Sequence, residues 1–252
     1  MKTAVITGAS AGVGLEFVRQ LEGAFPEVEQ VWLIARSANK LEEAAKLLNK
    51  VQVKILSLDL CSESSFAEFS AVLAAEKPEI TLLVNNAGCG YLGNVGETDL
   101  DVQTRMVDLN VRALTAVTHI AAPYVAQGGR IINLSSIASF CPNPRMTVYS
   151  STKAYVSSFS RGLGVELKPR GITVTAVCPG PMATEFLDIG GIAGNSKTFD
   201  TLPYCHPDKV VAGAYKAARA GRAVHTPTGF YKFYRGLAKV LPQRLMIKFT
   251  GT

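Results

Sequence analysis

Tyr149 and Lys153 stand four residues apart in YSSTK, separated only by small hydroxyl-bearing residues. The flanks RMTV and AYVSSFSRGL read as the start of a helix, where positions i and i+4 share one face about one turn apart. That spacing holds an ammonium close to a phenol. A neighbouring positive charge favours phenolate and draws a tyrosine below its ordinary pKa of about 10. The pair reads either as a proton-transfer device or as a solvated helix start with an incidental lysine. A second stretch able to do chemistry is TGASAGVG at 7–14, where a strand-like run meets a helix-like one. Its glycines, Gly8, Gly12 and Gly14, permit a tight turn and let backbone N–H groups approach a pyrophosphate at a helix N-terminus. Their spacing, G-x-x-x-G-x-G, is not the common dinucleotide pattern G-x-G-x-x-G, and a purely structural turn is the alternative. Roughly 20 residues further on, where nicotinamide cofactors are discriminated, the next strand ends in Ala35-Arg36. An acidic residue there would bind a ribose 2′-hydroxyl. A guanidinium suits a 2′-phosphate and favours NADP(H), unless Arg36 is a lone surface arginine.

These groups need a frame to hold them, and the chain alternates between two kinds of segment. TAVIT, VWLIA, VKILSL, ITLLVN, RIINLS and ITVTAV are short, near-continuous apolar runs. Between them LEFVRQLEGAF, NKLEEAAKLLNK, SSFAEFSAVLAAE, the stretch from about Leu100 to Gln127 and that from Tyr149 to Lys168 carry helical spacing. Buried strands separated by helices predict an α/β, doubly wound fold, a parallel sheet covered on both faces. No linker or internal repeat interrupts the pattern, so one domain over 1–252 is expected. After CPGP the pattern loosens, and IGGIAGNSKTFD suits a mobile loop.

Composition excludes several classes. With 48% hydrophobic and 18% charged residues among 252, the chain can bury a substantial core and is neither disordered nor fibrous. No apolar run reaches the roughly 18 residues that span a bilayer. The opening MKTAVITGAS is too short in its apolar part for a signal peptide and reads as a first strand. Five scattered cysteines without C-x-x-C read as reduced thiols in a cytoplasmic protein. No metal site is expected, since His119, His206 and His225 lack ligand spacing. The net charge of +6 is concentrated at one end: from Lys209 onward there are nine Lys or Arg and no Asp or Glu. The first 208 residues carry a net −3, which argues against nucleic-acid binding by the domain.

Taken in order, TGASAGVG, Asp59-Leu60, NNAG at 85–88, Asn110, Ser136 in NLSS, YSSTK and PGPMAT at 179–184 resemble the short-chain dehydrogenases/reductases. The resemblance runs from Thr3 to about Thr184. It implies a Rossmann-type domain of about seven parallel strands and a catalytic tetrad of Asn110, Ser136, Tyr149 and Lys153. By this resemblance Tyr149 exchanges the proton and Ser136 stabilises the carbonyl. Lys153 lowers the tyrosine's pKa and meets the nicotinamide ribose, while Asn110 positions a proton-relaying water. Gly8, Ser10, Gly12, Val13 and Gly14 would form the cofactor turn. Asp59 and Leu60 would border the adenine, Asn85, Ala87 and Gly88 the central cleft, and Pro179, Gly180 and Thr184 the nicotinamide end. The family's thirteen-residue spacing to Tyr149 selects Ser136 over Ser135. Ala11 occupies the place of a second basic residue found in some NADP enzymes, which leaves Arg36 alone to read the phosphate.

Substrate choice in this family lies after PGPMAT, here about 185–206, and in the tail. Phe186, Leu187, Ile189, Ile192, Phe199, Leu202 and Tyr204 can wall a pocket for a bulky lipophilic ketone or secondary alcohol, such as a hydroxysteroid or a long-chain acyl ketone. A 3-oxoacyl thioester reductase is the alternative, and a protein that senses NADPH without turnover is the reading from another class. Family analogy also implies a homo-oligomer, dimer or tetramer. In the tail, 229–252, Phe230, Phe233, Tyr234, Leu237 and Leu241 share one helical face, and Lys232, Arg235 and Lys239 the opposite one, with a break expected at Pro242. Such a helix either covers the protein's own pocket or makes weak contact with an anionic membrane surface.

Overall fold

The computed structural model describes residues 1–250, apart from the side chains of Lys197 and Phe249; Gly251 and Thr252, the end of the predicted tail, lie outside the described residues. Seven strands form one sheet: β1 (Lys2–Thr7), β2 (Gln30–Ala35), β3 (Gln52–Ser57), β4 (Glu79–Asn85), β5 (Val125–Leu134), β6 (Thr173–Val177) and β7 (Val224–His225). Their order is β3-β2-β1-β4-β5-β6-β7, and every neighbouring pair is parallel.

Alternation along β1 shows how the sheet is buried on both sides. Ile6 packs with Phe17 and Leu21 of α1 (Gly12–Ala24), Leu41 of α2 (Ala38–Ala45) and Val211 and Tyr215 of α9 (Pro207–Arg219). Val5, one residue earlier, points to the other face. There it joins Trp32 with Phe69 and Leu73 of α3 (Glu63–Glu76) and Val117 of α5 (Leu114–Ala121). Fully buried Leu, Ile, Val and Phe side chains each contribute about 1.5–3 kcal/mol, so both layers are needed to hold the sheet.

The strand order reverses between β1 and β4. Crossovers leave these two strands in opposite directions across the sheet, and a crevice opens beyond their C-terminal ends. TGASAGVG follows β1 and NAG follows β4, so the topology alone brings both motifs to that crevice.

Three features depart from the sequence expectations. β7 is only two residues long and was not read as a strand. β5 begins at Val125, ahead of RIINLS, because a register irregularity lets Ile80 pair with Val125 before Leu82 pairs with Arg130. The stretch expected as a loop, 189–200, runs into the short helix α8 (Lys197–Thr201), while α7 (Glu185–Ile189), held by burial of Leu187 and by packing of Ile192 behind it, lies ahead of it. The remaining helices are α4 (Leu100–Val107), α6 (Thr147–Glu166), α10 (Gly229–Val240) and α11 (Gln243–Met246). α10 stops where expected: Leu241 is extended ahead of Pro242, whose ring disfavours a helical residue before it. Among the described residues no helix is long and apolar enough to cross a membrane.

Candidate active site

The glycine-rich turn takes its shape from β4. Thr7 Oγ1 accepts hydrogen bonds from the backbone N–H groups of Asn86 (3.0 Å) and Ala87 (3.1 Å), and Asn86 Nδ2 donates to the carbonyls of Thr7 and Gly8. Gly8 has φ +66°, and a Cβ there would stand 2.9 Å from Ala87 Cα. A Cβ on Gly14 would meet the Gly8 carbonyl oxygen at 1.9 Å, so Gly14 lets α1 start directly against the turn and does not itself line the crevice. At the head of α1 the N-cap is Ala11, which offers no side-chain acceptor. Its first N–H groups are left for a ligand, which is the geometry a pyrophosphate fits. One sequence assignment needs correction here. Asn85 points away from the crevice, and its Nδ2 donates to Thr118 Oγ1 (2.9 Å) and Asn133 Oδ1 (2.8 Å). Asn86, its neighbour in NNAG, takes the place at the cleft.

At the outer end of the crevice Arg36, Ser37, Lys40, Asp59 and Leu60 line one cavity. Ser57 Oγ donates to the Arg36 carbonyl (2.9 Å) and Leu58 N to the Ala35 carbonyl (3.0 Å), which ties the ends of β2 and β3 together, and Asp59 accepts from Cys61 N (3.0 Å). Lys40, one turn beyond Arg36, supplies a second cation, so Arg36 does not stand alone. Lys40 lies 3.7 Å from Glu185 of α7 across the mouth of the cleft. Its place on the first turn of α2 is visible only once the helix start is known, with Ser37 capping it through Lys40 N.

The wall opposite the turn is built by the end of β5 and the first turns of α6. Ser136 and Tyr149 line the cavity together, and the Ser136 hydroxyl accepts from Ala138 N (3.1 Å). Ser135 also borders the cavity, but its hydroxyl is engaged in donating to the Lys153 carbonyl (2.8 Å). Lys153 Nζ donates to the Leu134 carbonyl at 2.9 Å and lies 5.7 Å from the centroid of the Tyr149 ring. Burial dominates both titrations. Desolvation pushes the Tyr149 phenol up to about 12 against the opposing effect of the Ser136 hydroxyl, and it pushes the Lys153 ammonium down to about 8. The phenol therefore moves in the sense opposite to the expected acidification, because losing water penalises an enclosed phenolate.

Asn110 is buried and does not line the cavity. Its Oδ1 accepts from Cys89 N (2.9 Å), and its Nδ2 donates to Cys89 O (2.8 Å) and Thr152 Oγ1 (3.0 Å). The side chain is thus committed to tying the loop after β4 to α6. Around it the helix widens to a π-helical turn, Asp108–Ala113, a distortion found mostly at functional sites. Gly88 makes this closeness possible: a Cβ there would stand 2.9 Å from Asn110 Oδ1 and 3.4 Å from Lys153 Nζ.

Residues 2–189 match the family model described as short chain dehydrogenase. The chain belongs to the short-chain dehydrogenase family. A very-long-chain 3-oxoacyl-CoA reductase of Danio rerio is 34% identical over 199 residues, 75% of this chain and 62% of the relative, so the match spans about three fifths of that reductase's length. Among solved structures, a short-chain dehydrogenase from Sphingobium yanoikuyae in complex with NADPH has a TM-score of 0.80 at 30% identity, covering 96% of this chain and 97% of that one. A bulky-bulky ketone specific alcohol dehydrogenase from Comamonas testosteroni has a TM-score of 0.75 at 28% identity, covering 96% of both chains.

In this short-chain dehydrogenase one cavity of about 810 Å³ runs from the glycine turn past Tyr149 to an apolar end. Gly8, Ser10, Gly12, Val13, Ala87, Gly88, Pro179, Gly180 and Thr184 all line it. Of the residues expected to wall a substrate pocket, Phe186, Leu187, Ile189, Phe199 and Leu202 do so. Ile192 is buried behind them, and Tyr204 is exposed and off the cavity. Gly90 lets the Tyr149 and Phe186 rings approach to 5.8 Å between centroids, since a Cβ there would lie within 3 Å of both.

α10 closes the apolar end with Tyr231, Tyr234 and Leu237, followed by Leu241 and Met246. The predicted apolar face of this helix is corrected at two points. Phe233 is 70% exposed and off the cavity, whereas Tyr231, not assigned to that face, is fully buried. The helix is rotated because Tyr231 packs on Gly180 and donates to the Pro203 carbonyl at 2.6 Å. No local periodicity reports a glycine fifty residues upstream.

Proposed function

We propose that this protein is an NADP(H)-dependent oxidoreductase that interconverts a bulky, lipophilic ketone and its secondary alcohol. The observation that carries the reading is the place of the Ser136–Tyr149 pair on the cavity wall. The pair sits where a phosphate-compatible turn and the paired cations Arg36 and Lys40 give way, within one cavity, to an apolar chamber. A reduced nicotinamide bound there supplies the hydride. Tyr149, held protonated by burial, donates its proton to the carbonyl oxygen as that oxygen gains charge, and Ser136 donates a hydrogen bond to the same atom. In the oxidative direction the proton returns to the phenolate. Lys153 holds the ribose, and Asn110 positions a proton-relaying water through the π-helical turn that it anchors.

The Comamonas enzyme's described preference for ketones bulky on both sides agrees with the size of the chamber. A second reading, reduction of a 3-oxoacyl thioester, is favoured by the Danio rerio relative's name and by the basic C-terminal segment. A homo-oligomer in the cytoplasm belongs to the same proposal, and a lipophilic substrate is the reason to expect weak membrane-surface contact through the tail.

The test is absorbance at the nicotinamide band with diaryl ketones, ketosteroids and 3-oxoacyl-CoA thioesters, each with NADPH and with NADH. Consumption of NADPH that depends on one of these ketones is expected. Tight NADPH binding without turnover of any of them would instead identify a sensor and overturn the proposal.

A further inference from the structure

α10 has two faces with different fates. Its inner face carries Tyr231, Tyr234 and Leu237 onto the cavity, with Leu241 just past its end, while on its outer face Phe233 is 70% and Val240 82% exposed. At about 100° per residue these two side chains point within roughly 20° of each other, and Lys232 and Lys239 do the same about a quarter-turn away. Both lysines are exposed. Leu245 of α11, 42% exposed, and the exposed Arg244 extend the same mixture along the chain. The outer face is therefore a pair of adjacent stripes, one apolar and one cationic, on the wall of a chamber built for apolar ligands.

We infer that this outer face docks reversibly on an anionic lipid surface and sets the apolar chamber beside the bilayer. The charge pattern selects the occupant. Along α10 and α11 no acidic side chain offsets Lys232, Arg235, Lys239 and Arg244. A second copy of the chain meeting this face across a two-fold axis would bring Lys232 and Lys239 against their own counterparts. An anionic headgroup layer accepts the lysines, while the aromatic and aliphatic side chains enter the acyl boundary. Phe230 is 52% exposed and also lines the cavity, so docking would bring this wall of the chamber to the lipid surface. The inference goes beyond the proposed reaction and needs neither cofactor nor turnover.

Co-sedimentation with phosphatidylserine–phosphatidylcholine vesicles tests it on the full chain. Binding is expected near 50 mM salt and should fall at least about fivefold near 500 mM, where the screening length shrinks to a few ångströms. Phe233→Ser with Val240→Ser, and separately Lys232→Gln with Lys239→Gln, should each weaken binding by roughly fivefold or more without lowering the melting temperature, because these side chains are exposed. Val165→Ser, at an equally exposed position on α6, should bind as the parent does. Absence of binding at low salt would overturn docking, as would equal binding to pure phosphatidylcholine or retention of binding in both double variants. Capture by an acidic carrier protein without vesicle binding would do the same. A chain that reduces no ketone but still shows the expected vesicle pattern would sink the proposed reaction and leave the docking standing.

Discussion

Gly180 and Tyr231 interlock so closely that a Cβ on the glycine would lie 2.2 Å from the tyrosine ring. The pair joins the segment expected at the nicotinamide end to the helix that closes the substrate chamber. Gly180→Ala forces either the PGP segment or α10 to move, and overpacking of this kind costs about 1–3 kcal/mol. The expected result is a lowered melting temperature together with a raised KM for bulky ketones. An unchanged melting temperature and KM would show that the contact does not set the position of α10.

Tyr149→Phe keeps the ring packed against Phe186 and removes the proton. Turnover should fall by roughly 10²-fold or more while NADPH affinity, read by fluorescence titration, stays within a few-fold of the parent. Near-normal turnover would remove Tyr149 from the proposed chemistry.

The pH dependence follows from burial. Because the Tyr149 phenol is pushed up to about 12, it remains a proton donor throughout the neutral range. Ketone reduction should show no loss attributable to its ionisation below pH 9, whereas alcohol oxidation should keep rising through pH 10. Stability responds in the opposite sense for the lysine. Lys153 is lowered from 10.5 to about 8, so the folded state favours its neutral form. Its burial cost is fully present below pH 8 and is relieved as pH rises from about 8 to 10.5. Melting curves of the parent and Lys153→Met should therefore converge over that window, and parallel curves would contradict the shift.

Arg36→Ala should lose about 1.5–3 kcal/mol of NADPH binding and little of NADH binding, because a charge-assisted bond to the 2′-phosphate is removed. Lys40→Ala should act in the same direction, less strongly, since Lys40 also faces Glu185. Isothermal titration with both cofactors checks this. Equal weakening of the two, or a parent that prefers NADH, would reject the phosphate assignment.

What the sequence determined by itself was local or ordered along the chain. Near-continuous apolar runs marked six of the strands, because burial on both faces of the sheet favours apolar residues at successive positions. Tyr149 and Lys153 were legible because their spacing is one helical turn, and Gly8 and Gly12 because positive φ restricts the residue type. Tertiary structure decided the rest. Asn85 and Asn86 are neighbours of one type, and only the direction of the strand end sends one into the sheet and the other to the cleft. Lys40 joins Arg36 because α2 starts where it does. The same Tyr149–Lys153 spacing that promises a lowered phenol pKa gives a raised one, because desolvation depends on everything packed around the pair and spacing reports only the pair. β7 carries two residues of pattern, too few to signal a strand, and exists because β6 offers an edge to pair with. Which face of α10 meets solvent was set fifty residues away, by the absence of a side chain at Gly180.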